Sequence, residues 1–134
     1  MSAVFAKLNL KSQTEILVLN APQSFEPELD ALPGVTVRRS LEDVVGIEFS
    51  LAFVTRQSEV DALSAAISAK TQGDAILWFA YPKGSSKNYR CDFNRDTGWT
   101  VLNALGFRPV RQVAIDADWS ALRFRRNEYV RAGG

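Results

Sequence analysis

The strongest constraint in the sequence is a set of three nearly continuous apolar runs, Glu15–Asn20, Glu48–Val54 and Asp74–Tyr81. A short run without polar alternation is what a strand buried on both faces requires, because its side chains point alternately into two cores. Between the runs lie helix and turn signals. Ala21-Pro22-Gln23-Ser24 ends the first run, and Ser24 is placed to cap a helix reaching Leu32, with Pro27 in its first turn and Glu26 and Glu28 at its positive end. Pro33-Gly34 stops that helix, and Val35–Arg38 reads as a second, short strand. Ser58-Glu59-Val60-Asp61 has the form of a capping box, followed by a stripe of Val60, Leu63, Ala66 and Ile67, with Lys70 near the helix end and Gly73 beyond it. Asp96 is placed to cap a helix with the apolar face Trp99, Leu102 and Leu105, closed by Gly106 and Phe107. Arg108–Ile115 and Trp119–Arg126 alternate like the two arms of a hairpin around Asp116-Ala117-Asp118.

Buried strands alternating with helices predict a small Rossmann-like α/β domain of three layers, its sheet mostly parallel with a C-terminal antiparallel hairpin. The 134 residues suit a single domain, with a frayed tail from about residue 130. Ligands of such sheets sit at the carboxyl ends of the strands, which here are 20–24, 55–58 and 81–87.

Composition narrows the chemistry. The chain has no histidine and one cysteine, Cys91, which excludes a Ser-His-Asp triad, a Cys-His dyad, an internal disulfide and a histidine-rich metal site. No apolar run approaches the ~20 residues of a membrane helix. The N-terminus lacks a signal-peptide pattern, and a lone cysteine fits a reducing compartment. The expected location is cytoplasmic, with no membrane partner. The net charge of +1 argues against a dedicated nucleic-acid binder. The charge is nevertheless uneven. Residues 1–61 hold five basic and nine acidic groups, and residues 62–134 hold eleven basic and six acidic ones. That asymmetry suits either an anion-binding face or ordinary surface charge on different elements.

The loop Tyr81-Pro82-Lys83-Gly84-Ser85-Ser86-Lys87-Asn88-Tyr89-Arg90 is the leading candidate site. It offers two ammonium groups, a guanidinium, hydroxyls and a glycine that admits close approach to the backbone, all suited to an anion. Tyr81, Lys83, Ser85, Ser86, Lys87 and Arg90 are its candidate ligand-binding residues, and a plain connecting loop is the alternative. Trp119 is placed either to stack on a ring or to cover the sheet, and Asp118 either to contact a ligand or to form an Asx turn. Arg90 and Lys87 near Cys91 would lower a thiol pKa, but no histidine is present to serve as base.

On Gly73-Asp74-Ala75-Ile76-Leu77-Trp78, the helix ending Leu105-Gly106-Phe107 and the closing hairpin, the span from Glu15 to Arg126 resembles a shortened S-adenosylmethionine-dependent methyltransferase domain. The resemblance implies S-adenosylmethionine as cofactor, lined by Asn20, Ala21 and Pro22, with Lys83 and Trp119 near the substrate. That class carries a Gly-rich loop after its first strand, where this chain reads Leu19-Asn20-Ala21-Pro22-Gln23-Ser24. It also carries an acidic residue after its second strand, where this chain reads Arg38-Arg39-Ser40. Val18–Pro22, Leu32–Val35, Tyr81–Lys83 with Ser85–Lys87, and Asp118–Phe124 further resemble a family of small bacterial proteins with no assigned activity.

Three functions follow as expectations. The first is a non-catalytic module, needing no cofactor, that holds an anionic small molecule or nucleotide at the strand ends. The second is an atypical methyltransferase. The third is an interaction module, with its pocket filled by side chains such as Phe25 or Tyr81, that binds a partner or a second copy of itself.

Overall fold

The computed structural model describes residues 3–93 and 98–130. A six-stranded sheet forms the middle layer, in the order β2-β1-β3-β4-β6-β5. Its strands are β1 (Glu15–Leu19), β2 (Thr36–Arg38), β3 (Ile47–Phe53), β4 (Thr71–Pro82), β5 (Phe107–Ala114) and β6 (Trp119–Arg126). The first four run parallel, and β6 lies antiparallel between β4 and β5. The hairpin expected at the C-terminus is therefore present, with its second arm inserted next to β4.

Period-two alternation splits each apolar run between two cores. Ile16 and Val18, Leu51 and Phe53, and Trp78 and Ala80 face one side, where Phe5 and Leu8 of the N-terminal segment join Phe25 and Leu29. Leu17 and Leu19, and Leu77, Phe79 and Tyr81, face the other, against Val60 and Ile67 of α3 (Gln57–Ser68) and Leu102 of α4 (Thr100–Ala104). Helical segments thus cover both faces. On the first face, α1 (Ala3–Lys7) is an element the sequence reading did not anticipate. Trp78 holds the chain after it in place, its indole N–H donating to the Leu8 carbonyl at 2.8 Å.

Three local expectations are corrected. Ser24 caps nothing: Gln23–Phe25 is a 3-10 turn, and α2 (Glu26–Asp30) starts after it. Helix α3 begins at Gln57, and Glu59 rather than Asp61 closes its N-terminus by reaching back to the Arg56 N–H at 3.2 Å. Gly73 lies within β4 rather than behind the helix; with φ +57 it sits where β4 bulges, Ile47 pairing with Thr71 and Phe49 with Ile76. Lys70 lies at the helix end as expected, its N–H on the Ile67 carbonyl at 3.0 Å, and its ammonium donates to the carbonyls of Leu41 and Val44. The expected Asp96 cap and most of the expected tail lie outside the described residues. Among the described residues, no helix is long and apolar enough to cross a membrane.

Candidate functional site

The chain leaves β1 toward β2 on one side, and β3 adds on the other. The carboxyl ends of β1 and β3 therefore flank the topological switch point, where open α/β sheets form a crevice. Asn20, the first residue after β1, has φ +58. Asparagine is one of the few residues other than glycine that visit this left-handed region readily. Its side-chain amide donates to the Phe53 carbonyl at 3.4 Å, tying the two strand ends together.

A crevice of about 280 Å³ opens here. Asn20, Pro22 and Gln23 form one wall, Phe53 and Thr55 the floor, and Glu59, Tyr89 and Trp119 the rest. Glu59 belongs to the first turn of α3. Its Oε1 accepts from the Thr55 N–H at 2.9 Å, the Thr55 hydroxyl at 3.2 Å and the Arg56 N–H at 3.2 Å. Its Oε2 has no partner among the described residues. Trp119 is 3% exposed and packs edge-on with Phe53, and the Tyr89 ring lies tilted to it at 4.8 Å between ring centres. Its buried indole N–H also finds no acceptor among the described residues. Buried donors are rarely left this way, and an ordered water and a bound acceptor atom are two ways to satisfy one.

Segment 83–93 crosses the end of the sheet. Tyr89 packs on the core that holds Trp119, and Cys91 and Phe93 pack on the opposite core. On that opposite side lies a second cavity of about 700 Å³. Its wall includes Tyr81, Lys83, Arg90, Phe93, Gln112 and Ser120. Tyr89 lines both spaces. Asp118 pins the crossing: its carboxylate accepts from the Ser86 hydroxyl at 2.9 Å and the Asn88 amide at 3.2 Å. The Asx turn belongs to Asp116 instead, whose Oδ1 accepts from the N–H groups of Asp118 and Trp119 at 2.8 and 2.9 Å.

The expected site residues therefore divide. Asn20, Pro22 and Trp119 line the crevice, whereas Tyr81, Lys83, Ser86 and Arg90 line the larger cavity. Ala21 packs against the core, and exposed Ser85 and Lys87 line neither space. Ser86 also organises the loop, its oxygen accepting from the Tyr89 N–H at 3.1 Å. Gln23 and Thr55 fall within the strand ends marked for a ligand and Tyr89 within the candidate loop, but none of the three is among the expected site residues, and Glu59 is not marked at all. Glu59 was visible as an acid near a helix start, but the capping box was read two residues too late.

Cys91 departs from the expectation of a lowered pKa. Burial pushes its thiol up, and the nearby carboxylates of Asp92 and Glu59 add to this, outweighing the backbone hydrogen bond at Phe93. Arg39, at the end of β2, forms a two-pronged pair with Glu26 at 2.7 Å for each bond. That hydrogen bond holds the Glu26 carboxyl below its ordinary pKa. Among the described residues, no group of His, Cys, Asp or Glu could hold a metal ion.

Solved structures with the same layout were found by comparison. An S-adenosylmethionine-dependent methyltransferase from Aquifex aeolicus superposes with a TM-score of 0.63 at 13% identity, covering 92% of this chain and 87% of its own. Mitomycin 7-O-methyltransferase gives 0.62 at 11% identity over 85% of this chain, which spans 49% of that enzyme. Magnesium protoporphyrin IX methyltransferase from Synechocystis PCC 6803, solved with S-adenosylmethionine bound, gives 0.57 at 11% identity over 92% of this chain and 74% of its own. The chain has the Rossmann-like methyltransferase fold. Identities this low establish the fold and leave the activity to be argued from the site. No protein-family model and no curated protein matches the chain, so the resemblance to a bacterial family gains no support.

Proposed function

We propose that the chain is a small, atypical S-adenosylmethionine-dependent methyltransferase that binds its cofactor in the switch-point crevice. The observation that carries this reading is the pairing, in one crevice, of an unused carboxylate oxygen on Glu59 with an orphaned indole N–H on Trp119. No lysine or arginine is among the described residues of its wall. Such a wall suits a cation that also carries acceptor atoms. The cofactor meets both demands through its sulfonium and ammonium groups and its adenosine nitrogens and hydroxyls. The faces of Trp119 and Tyr89 add attraction for a cation.

The fit rests on a different set of contacts from those of a glycine-rich loop. Asn20 supplies the left-handed turn. Ala21 and Pro22 follow it, and Pro22 has no N–H to offer. Arg39 stands where an acid would take the ribose hydroxyls and is committed to Glu26. Glu59 and Trp119 thus replace the loop and the acid as the principal anchors. Bound there, the cofactor supplies an electrophilic methyl group. The chain orients it from the crevice and keeps bulk water from it with Phe53, Tyr89 and Trp119. The switch point itself does not suit an anion, because it carries a carboxylate; the cations of the loop expected to hold one, Lys83 and Arg90, lie across Tyr89.

Titration calorimetry with S-adenosylmethionine and S-adenosylhomocysteine tests this reading. Glu59→Gln keeps an oxygen to cap α3 and removes the charge. We expect binding by the natural chain, and affinity for S-adenosylmethionine lowered about tenfold or more in the variant, the equivalent of one ~1.4 kcal/mol contact. No binding at millimolar ligand, or equal affinity in the variant, overturns it. The first of these outcomes favours the filled-pocket interaction module, which the close packing of Trp119 on Phe53 and Tyr89 would serve.

A further inference from the structure

The two spaces that meet at Tyr89 are sorted by charge. Among the described residues, the crevice wall holds Glu59 and no cation, whereas the larger cavity holds Lys83 and Arg90 and no carboxylate. Neither Lys83 nor Arg90 has an ion-pair partner among the described residues. Two carboxylate residues adjoin them, Asp118, whose carbonyl accepts the Lys83 N–H at 2.8 Å, and Asp92, two residues after Arg90, and the carboxylates of both are engaged elsewhere. Asp118 holds Ser86 and Asn88, and Asp92 accepts from the Gln57 N–H at 2.6 Å. Three aromatic rings also line the cavity, Tyr81 and Phe93 tilted to each other with 6.3 Å between centres and Tyr89 at the divide. Its volume of about 700 Å³ is that of a small-molecule site.

We propose that this cavity binds an anionic small molecule with a planar apolar body, its charge met by Lys83 and Arg90 and its rings by Tyr81, Phe93 and Tyr89. Its role as the acceptor's site, next to the cofactor, rests on the methyltransferase reading. The binding itself does not. The sorting also gives the cavity a selectivity: a cationic ligand is drawn to the crevice and repelled from the cavity, and an anionic one the reverse.

Benzoate and benzamide form a pair of probes that differ mainly in charge. Each is titrated into isotope-labelled protein at constant ionic strength, with backbone amide shifts as the readout. Benzoate is expected to move the resonances of Lys83, Gly84, Arg90 and Gln112, and benzamide to bind more weakly. The double variant Lys83→Gln, Arg90→Gln is expected to lower benzoate affinity about tenfold while leaving the amide spectrum otherwise folded. Added salt is expected to weaken benzoate and spare benzamide. Equal binding of the two probes, shifts scattered over the surface, or unchanged affinity in the double variant overturns the proposal. Adding S-adenosylhomocysteine to the same samples keeps the two readings apart. Benzoate that binds where S-adenosylhomocysteine does not sinks only the cofactor assignment, and S-adenosylhomocysteine that binds where benzoate does not sinks only this one.

Discussion

Asn20 carries more of the argument than any other single residue. The sequence shows a first-strand exit without glycine, and that reads as the loss of the cofactor loop. The structure shows φ +58 at Asn20, so the turn is kept by the other residue type that tolerates it. Asn20→Gly is therefore expected to leave stability within about 0.5 kcal/mol, whereas Asn20→Val costs about 1–2 kcal/mol by forcing a β-branched side chain into the left-handed region. Urea unfolding of the two variants checks this, and equal losses would mean that the side-chain bond to Phe53 matters more than the turn. Trp119 was legible as either a stacking ring or a core residue. The structure shows the core role, since it is buried among Phe53 and Tyr89, with no partner for its N–H among the described residues. Cys91 shows the limit of reading charge from neighbours in sequence. Arg90 and Lys87 adjoin it along the chain, but burial and the carboxylates of Asp92 and Glu59 decide its state. The raised thiol binds its proton more tightly in the native state. Its contribution to stability is whole below the ordinary thiol pKa and is lost as pH rises through the shifted one.

At the scale of elements, strands were legible and helix starts were not. The runs in β1, β3 and β4 are long enough for period two to fill both cores, so their burial follows from composition alone. Helix α1 has five residues, too few for a helical stripe to repeat, and the 3-10 turn at Gln23–Phe25 leaves no capping signature. The Glu59 box escaped because Arg56 is not a usual capping residue, although the acid three positions on reaches back all the same. Gly73 was assigned to the helix end because a glycine after a lysine suits that place, but it serves the bulge in β4. A Cβ there meets no neighbour, so Gly73→Ala costs only the backbone strain of φ +57. Thermal or denaturant unfolding is expected to show a loss of about 1 kcal/mol. A neutral result would show that the bulge relaxes.

At the scale of the molecule, the insertion of β6 between β4 and β5 places Trp119 beside Pro82, at the carboxyl end of the parallel strands. No local signal announces this, because an arm of a hairpin looks the same whichever neighbour it pairs with. The two outer strands are both poor templates for further pairing. β2 has three residues, and β5 carries Pro109, Arg108 and Arg111. The sequence reading placed Asn20 and Lys83 on one cleft. The chain between them passes over the sheet end, and Tyr89 divides the cleft into a crevice with a carboxylate and a cavity with cations. That division follows from the path of the loop, which the Ser86 and Asn88 bonds to Asp118 fix and which spacing alone does not reveal.

The central claim, that Glu59 and Trp119 are the anchors of an adenosyl cofactor, is tested most directly by a crystal structure of the protein grown with S-adenosylhomocysteine. The account predicts the ligand in the switch-point crevice, with one of its donors on Glu59 Oε2 and one of its acceptors on the Trp119 indole N–H. A ligand seated elsewhere, or a crevice left without ligand at saturating concentration, would contradict it.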